Sequence, residues 1–191
     1  MSTEARARAG RPEDNELVQD MQSCSEILGI RKTYNGTFQN IEMNVTPHLR
    51  LVQYIETVII DSKPDIIITH HTSDTNNDHL QTSIACQAAF RIFQRRDDIK
   101  PIQELWFMEV LSSTEWNVNS SGKAFNPNVF VEVGEERVNR KIEALSMYRG
   151  VMRDYPHPRS NEAIKGLAAY RGTQAKCKYA EAFECVFRRM V

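Results

Sequence analysis

The chain has 191 residues, 41% of them apolar and 26% charged, which is enough apolar material for a folded domain with a real core. Its 24 Lys and Arg against 25 Asp and Glu leave a net charge of −1, so no bulk electrostatic case exists for nucleic acid or an anionic membrane as partner. No apolar run approaches the roughly 20 residues a transmembrane helix needs.

Residues 1–14 are polar, carry no apolar signal core and read as loop. A helix is expected over 15–28, with Leu17, Met21, Cys24 and Leu28 on one face and Gly29 as its stop. A short strand over 34–38 follows. Pro47 opens a second helix to residue 61, with Leu51, Val52, Ile55, Val58 and Ile59 at helical spacing. Lys63-Pro64-Asp65 turns into a strand over 66–69. A polar loop then leads to a helix over 80–94 with Ile84, Ala85, Ala88, Ile92 and Phe93 inward. Residues 104–111 read as strand, 112–128 as loop and 129–133 as strand. A helix over 135–148 buries Val138, Ile142 and Leu145. A Pro-rich loop, a helix to residue 170 and a strand over 183–187 end the chain. Alternating helix and strand imply an α/β fold with a mostly parallel sheet flanked by helices. No repeat or linker interrupts it, so one domain is expected over 1–191. The cysteines Cys24, Cys86, Cys177 and Cys185 show no CxxC or zinc-ribbon spacing, so reduced thiols and a cytoplasmic location are expected. The Asn-x-Ser/Thr triplets at Asn35, Asn44 and Asn119 are then chance matches.

The segment 69–79, THHTSDTNNDH, follows a strand and opens a helix, which is where α/β folds place their sites. It holds three His and two Asp, all able to ligate metal or move protons. His79 starts the helix directly after Asp78, and a neighbouring carboxylate can orient such a histidine. The plainer alternatives are a helix cap for Asp78 and an exposed first-turn residue for His79. Asp74 and Asn76 suit Asx turns. A satisfied structural role is as good a reading for His70 or His71 as a catalytic one.

The second cluster is PHPRS (156–160). Two prolines stiffen the backbone around His157, and Arg159 follows, an arrangement suited to a polar ligand such as a sugar or phosphate. The alternative is a stiff loop before a helix capped by Ser160. Arg171-Gly172 and the run YAEAF (179–183) either complete the core or line a pocket. Trp106 and Trp116 are expected to pack rather than to stack on a ligand.

Six segments in order resemble the PIG-L/LmbE family of zinc-dependent N-acetylglucosaminyl deacetylases: PDIIITHHTSDTNNDH (64–79), SSTEW (112–116), FNPNVFVEV (125–133), KIEALSMY (141–148), PHPRS (156–160) and RG…YAEAF (171–183). The resemblance implies a Rossmann-like α/β fold and a mononuclear Zn2+. It places a metal ligand at His79 and a supporting catalytic carboxylate at Asp78. Many members carry a histidine acid where this chain has Asn76, which leaves Asn76 to contact substrate and makes His157 the candidate acid. Arg159 and Arg171 are the candidates for binding sugar hydroxyls or a phosphate on the aglycone.

The family's HPDD or HPDE string, which supplies two zinc ligands and the base, is absent from these residues. The resemblance therefore implies a sheet incomplete at its N-terminus, exposed strand edges and an impaired metal site. The expected activity is hydrolysis of the N-acetyl group of an N-acetylated amino sugar or glycoconjugate, poor or absent in this polypeptide alone. The expected partners are that saccharide and either a second copy of the chain or a complementing N-terminal segment. The competing reading is a non-catalytic saccharide- or subunit-binding remnant of the same fold. A Rossmann-like nucleotide binder is disfavoured, because none of the eight glycines forms a GxGxxG loop.

Overall fold

A computed structural model describes residues 2–4, 13–118 and 124–190. In chain order the elements are β1 (Ser2–Glu4), α1 (Asp14–Leu28), β2 (Gly36–Gln39), α2 (His48–Ser62), β3 (Ile66–His70) and α3 (Asn77–Phe90). They continue with a short 3-10 turn (Arg91–Gln94), β4 (Glu104–Met108), β5 (Val129–Glu132), α4 (Gly134–Ser146), α5 (Asn161–Ala175) and β6 (Ala180–Arg188). This is the expected α/β class. Four strands form one sheet in the order β3-β4-β6-β5, and β1 pairs with β2 separately. The strand β1 falls where the sequence predicts only loop; parts of that loop and residues 119–123 lie outside the described residues.

The chain forms two compact units, Ile41–Val129 with Phe183–Val191, and Met1–Asn40 with Phe130–Ala182. In the former, β3 and β4 run parallel, paired from Ile66 with Glu104 to His70 with Met108. Strand β6 runs antiparallel to β4, so the sheet is not parallel throughout. Helix α2 packs against α3, and α3 against β3. Pro47, at the N-cap of α2, offers no side-chain cap, a deficit of about 1 kcal/mol. Burial of Leu51, Val52 and Ile59 at about 1.5–3 kcal/mol each more than offsets it.

Helix α3 begins at Asn77, three residues before the predicted start, because the Asn76 side chain accepts from the N–H groups of Asp78 and His79. His79 therefore sits in the first turn. The face of α3 turned to the core carries Ser83, Ala85, Cys86, Ala89 and Phe90, whereas Ile84 is 40% exposed. Small residues let the helix approach β3 closely enough for Ser83 Oγ to donate to the His70 carbonyl at 2.7 Å. That bond fixes the carboxyl end of β3.

In the other unit α1 packs on α4 and α4 on α5. Gly29 ends α1 at φ 68°, as its sequence position predicts. Asp20, buried in α1, accepts from the Arg149 N–H at 3.0 Å and faces the Arg149 guanidinium. Among the described residues no helix is long and apolar enough to cross a membrane.

Candidate functional site

The carboxyl end of β3, the loop after it and the first turn of α3 bring two imidazoles of segment 69–79, those of His79 and His70, to one carboxylate, that of Asp74. Asp74 is fully buried. Its Oδ1 accepts from the Asn76 N–H at 2.8 Å, which closes the Asx turn its sequence position suggests. Its Oδ2 lies 3.0 Å from His79 Nδ1 and accepts from Ser113 Oγ at 2.8 Å and Thr114 Oγ1 at 3.0 Å. Burial acts to raise the pKa of Asp74, but the bonds from His79, from the Asn76 N–H and from Ser113 outweigh it and hold the carboxyl below its ordinary value. Asp74 is thus ionised and saturated with donors.

His79 is one quarter exposed. The ring of His70 stacks on it at 4.1 Å between centroids, the planes 12° apart. His70 is neutral: burial, reinforced by nearby His79 and opposed by Asp74, depresses its pKa to about 4. Its Nδ1 is buried with no hydrogen-bond partner among the described residues. His71 points to the other side of β3. Its Nδ1 takes the Ser73 N–H at 3.1 Å with Ser73 Oγ at 2.6 Å, and its Nε2 lies 3.4 Å from Glu184. Phe107 and Phe125 meet its ring edge-on. Burial lowers the pKa of His71 against the opposing pull of Glu184 and Asp74. His71 is the satisfied structural imidazole of the pair.

The site residues expected from sequence divide between the two units. Asn76, Asp78 and His79 come together at the start of α3. Asn76 spends its side-chain oxygen on capping, at 2.9 Å from the Asp78 nitrogen and 3.4 Å from that of His79. Asp78 accepts from the Ile41 N–H at 2.5 Å and the Met43 N–H at 3.3 Å. It thereby anchors Ile41, whose φ of 65° is unfavourable for a β-branched residue. The carboxylate bonded to His79 is that of Asp74. The sequence offered a signal for this: SSTEW, whose Ser113 and Thr114 are the hydroxyls that complete Asp74.

His157, Arg159 and Arg171 belong to the other unit. His157 is exposed, and its Nδ1 accepts from the Arg159 N–H at 3.0 Å. A neutral His157 therefore carries its proton on Nε2. Ser160, fully buried, caps α5 by accepting from the Ala163 N–H at 3.1 Å. Arg171 donates to Gln174 at 2.9 Å and lies over the Tyr170 ring. Gly172 completes the core of its unit: a Cβ there would stand 2.6 Å from the Cys177 carbonyl oxygen. Trp106 packs on Phe183, but Trp116 is 65% exposed, contrary to the packing role expected of it.

With that geometry in view, solved structures supply the comparison. The chain superposes on a conserved protein of Thermus thermophilus with a TM-score of 0.73 and 18% identity, over 95% of this chain and 78% of that one. It superposes on the N,N'-diacetylchitobiose deacetylase of Pyrococcus horikoshii at 0.69 and 13% identity, over 91% of this chain and 64% of the deacetylase. The 4-carboxy-2-hydroxymuconate hydratase of Pseudomonas putida matches at 0.69 and 19% identity, over 93% and 74%. The fold is therefore a deacetylase-like α/β fold. No family model and no curated protein matches the chain.

The donor set answers how these residues suit a metal. Among the described residues no group of three or more His, Cys, Asp or Glu converges on one point. His70 cannot share an ion with His79, because a ring nitrogen binds metal in its ring plane and the two planes are stacked 12° from parallel. A catalytic zinc takes about three protein ligands. The described residues offer His79 alone, which does not make such a site.

Proposed function

We propose that this chain is a deacetylase-type hydrolase, and that it acts on the N-acetyl group of an N-acetylated amino sugar. The observation that carries the reading is the His79–Asp74 pair at the carboxyl end of a parallel strand, at 3.0 Å, inside a deacetylase-like fold. The six sequence segments supply the substrate class. The zinc that the resemblance implies is left out of the reading, because the described residues do not complete its ligand set.

What the chain's own residues do follows from their proton positions. With Asp74 holding its Nδ1, His79 has Nε2 as its only open nitrogen. That atom takes a proton from an attacking water. The water oxygen bonds to the acetamide carbonyl carbon, the C–N bond breaks, and acetate and a free amine leave. The departing amine takes the proton that His79 accepted from the water. Asn76 and Asp78 hold the backbone from which His79 projects.

A second reading, subunit binding without catalysis, is favoured by β3. That strand is at the end of the sheet order, and its Ile66 and Ile68 are 41% and 46% exposed. Acetate release separates the two. The chain is incubated with N-acetylglucosamine, a β-linked N-acetylglucosamine disaccharide, N-acetylated amino acids and simple acetamides. The hydrolase reading expects slow release from the sugars and none from the others. No release from any sugar supports the binding reading in its place.

A further inference from the structure

We propose that Asp74 is a positioning residue that holds the His79 Nδ1–H towards its own carboxylate and so turns Nε2 away from it. This rests on the reading of His79 as the reactive imidazole. An ionised carboxylate only accepts, so the His79 nitrogen 3.0 Å from Asp74 Oδ2 must be the one that carries hydrogen. The direction is enforced from the far side. Thr114 Oγ1 accepts from the Val110 N–H at 2.8 Å, so its own proton is available for Asp74. Ser113 Oγ donates to the same carboxylate oxygen. The Asn76 N–H, which can only donate, faces the other oxygen.

Asp74 has no exposed surface, so water does not compete for these bonds. The His70 ring stacked at 4.1 Å restrains the tilt of the His79 ring. Asp78, the sequence neighbour of His79, cannot take this role because its carboxylate is committed to the Ile41 and Met43 N–H groups. The carboxylate that orients the histidine is therefore five positions before it, not one.

Asp74→Asn has a derivable outcome. The amide nitrogen cannot face the Asn76 N–H, because two donors would meet and a backbone N–H cannot turn. It must take the place of Oδ2, where the hydroxyls of Ser113 and Thr114 can rotate. There it donates to His79 Nδ1 and drives the proton to Nε2. Long-range nitrogen–proton NMR of the His79 ring reads this directly.

The unaltered chain is expected to show a protonated Nδ1, and Asp74→Asn a bare Nδ1 with the proton on Nε2, with acetate release reduced about 10–100-fold. A bare Nδ1 in the unaltered chain overturns the proposal, and that measurement stands even where the variant fails to fold. So does an unchanged tautomer in folded Asp74→Asn, or a reversed tautomer with acetate release intact. A tautomer that reverses in a chain that releases no acetate from any sugar upholds the assignment and refutes the hydrolase reading alone.

Discussion

His70 shows most plainly what the site costs the fold. Its native pKa of about 4 lies below the ordinary value of 6.5, so the unfolded chain binds the proton more readily than the native one. Stability must then fall as pH drops from about 6.5 towards 4, by an amount on the order of 3 kcal/mol. His71, also depressed by burial, acts in the same direction. Asp74, held below its ordinary 3.8, adds a further loss at lower pH as it takes a proton. Urea denaturation at pH 7 and pH 5 tests this: the midpoint should fall, and His70→Phe, which keeps the stack but cannot titrate, should fall less. Equal losses in both chains would contradict the account. At this scale the sequence was only partly legible. It marked segment 69–79 as the candidate site, with His79 as the residue proposed to lead it. It could not choose between Asp74 and Asp78, because the choice depends on Ser113, Thr114, Ile41 and Met43, all more than 30 positions away.

At the scale of elements, local signals served well where they act locally. Gly29 stops α1, Ser160 caps α5, and the apolar spacing of α2 matches its buried Leu51, Val52 and Ile59. On the inward face of the helical segment over 80–94 the prediction held for Ala85 and Ile92 and failed for Ile84, because periodicity favours that bulky residue while the close approach to β3 selects the small Ser83 and Ala89. Helix α5 offers a matched test of the same point. Gly172 lies against the chain that folds back over it, with the Cys177 and Lys178 carbonyl oxygens 2.6 and 2.8 Å from where a Cβ would sit. Gly166, in the same helix, has nothing within 4 Å of that position. Thermal unfolding of Gly172→Ala should show a loss of about 1–3 kcal/mol, and Gly166→Ala a gain of up to about 1 kcal/mol. A Gly172→Ala chain as stable as the unaltered one would show that the backbone crossing is looser than described.

For the whole molecule, the α/β class was readable from the alternation of helix and strand. The antiparallel β6 was not, since hydrophobic pattern is blind to strand direction. The division into two units was likewise hidden, because each is assembled from segments distant in sequence. That same assembly brings the histidines of β3, the hydroxyls after β4 and Glu184 of β6 into one neighbourhood. The fold is shared with a deacetylase and a hydratase. The central claim is that His79, aimed by Asp74, is the reactive group. It is tested most directly by measuring acetate release from a β-linked N-acetylglucosamine disaccharide with the unaltered chain and with His79→Ala, side by side. The account predicts slow release that falls at least about 100-fold in the variant. Release that persists undiminished in His79→Ala would contradict it.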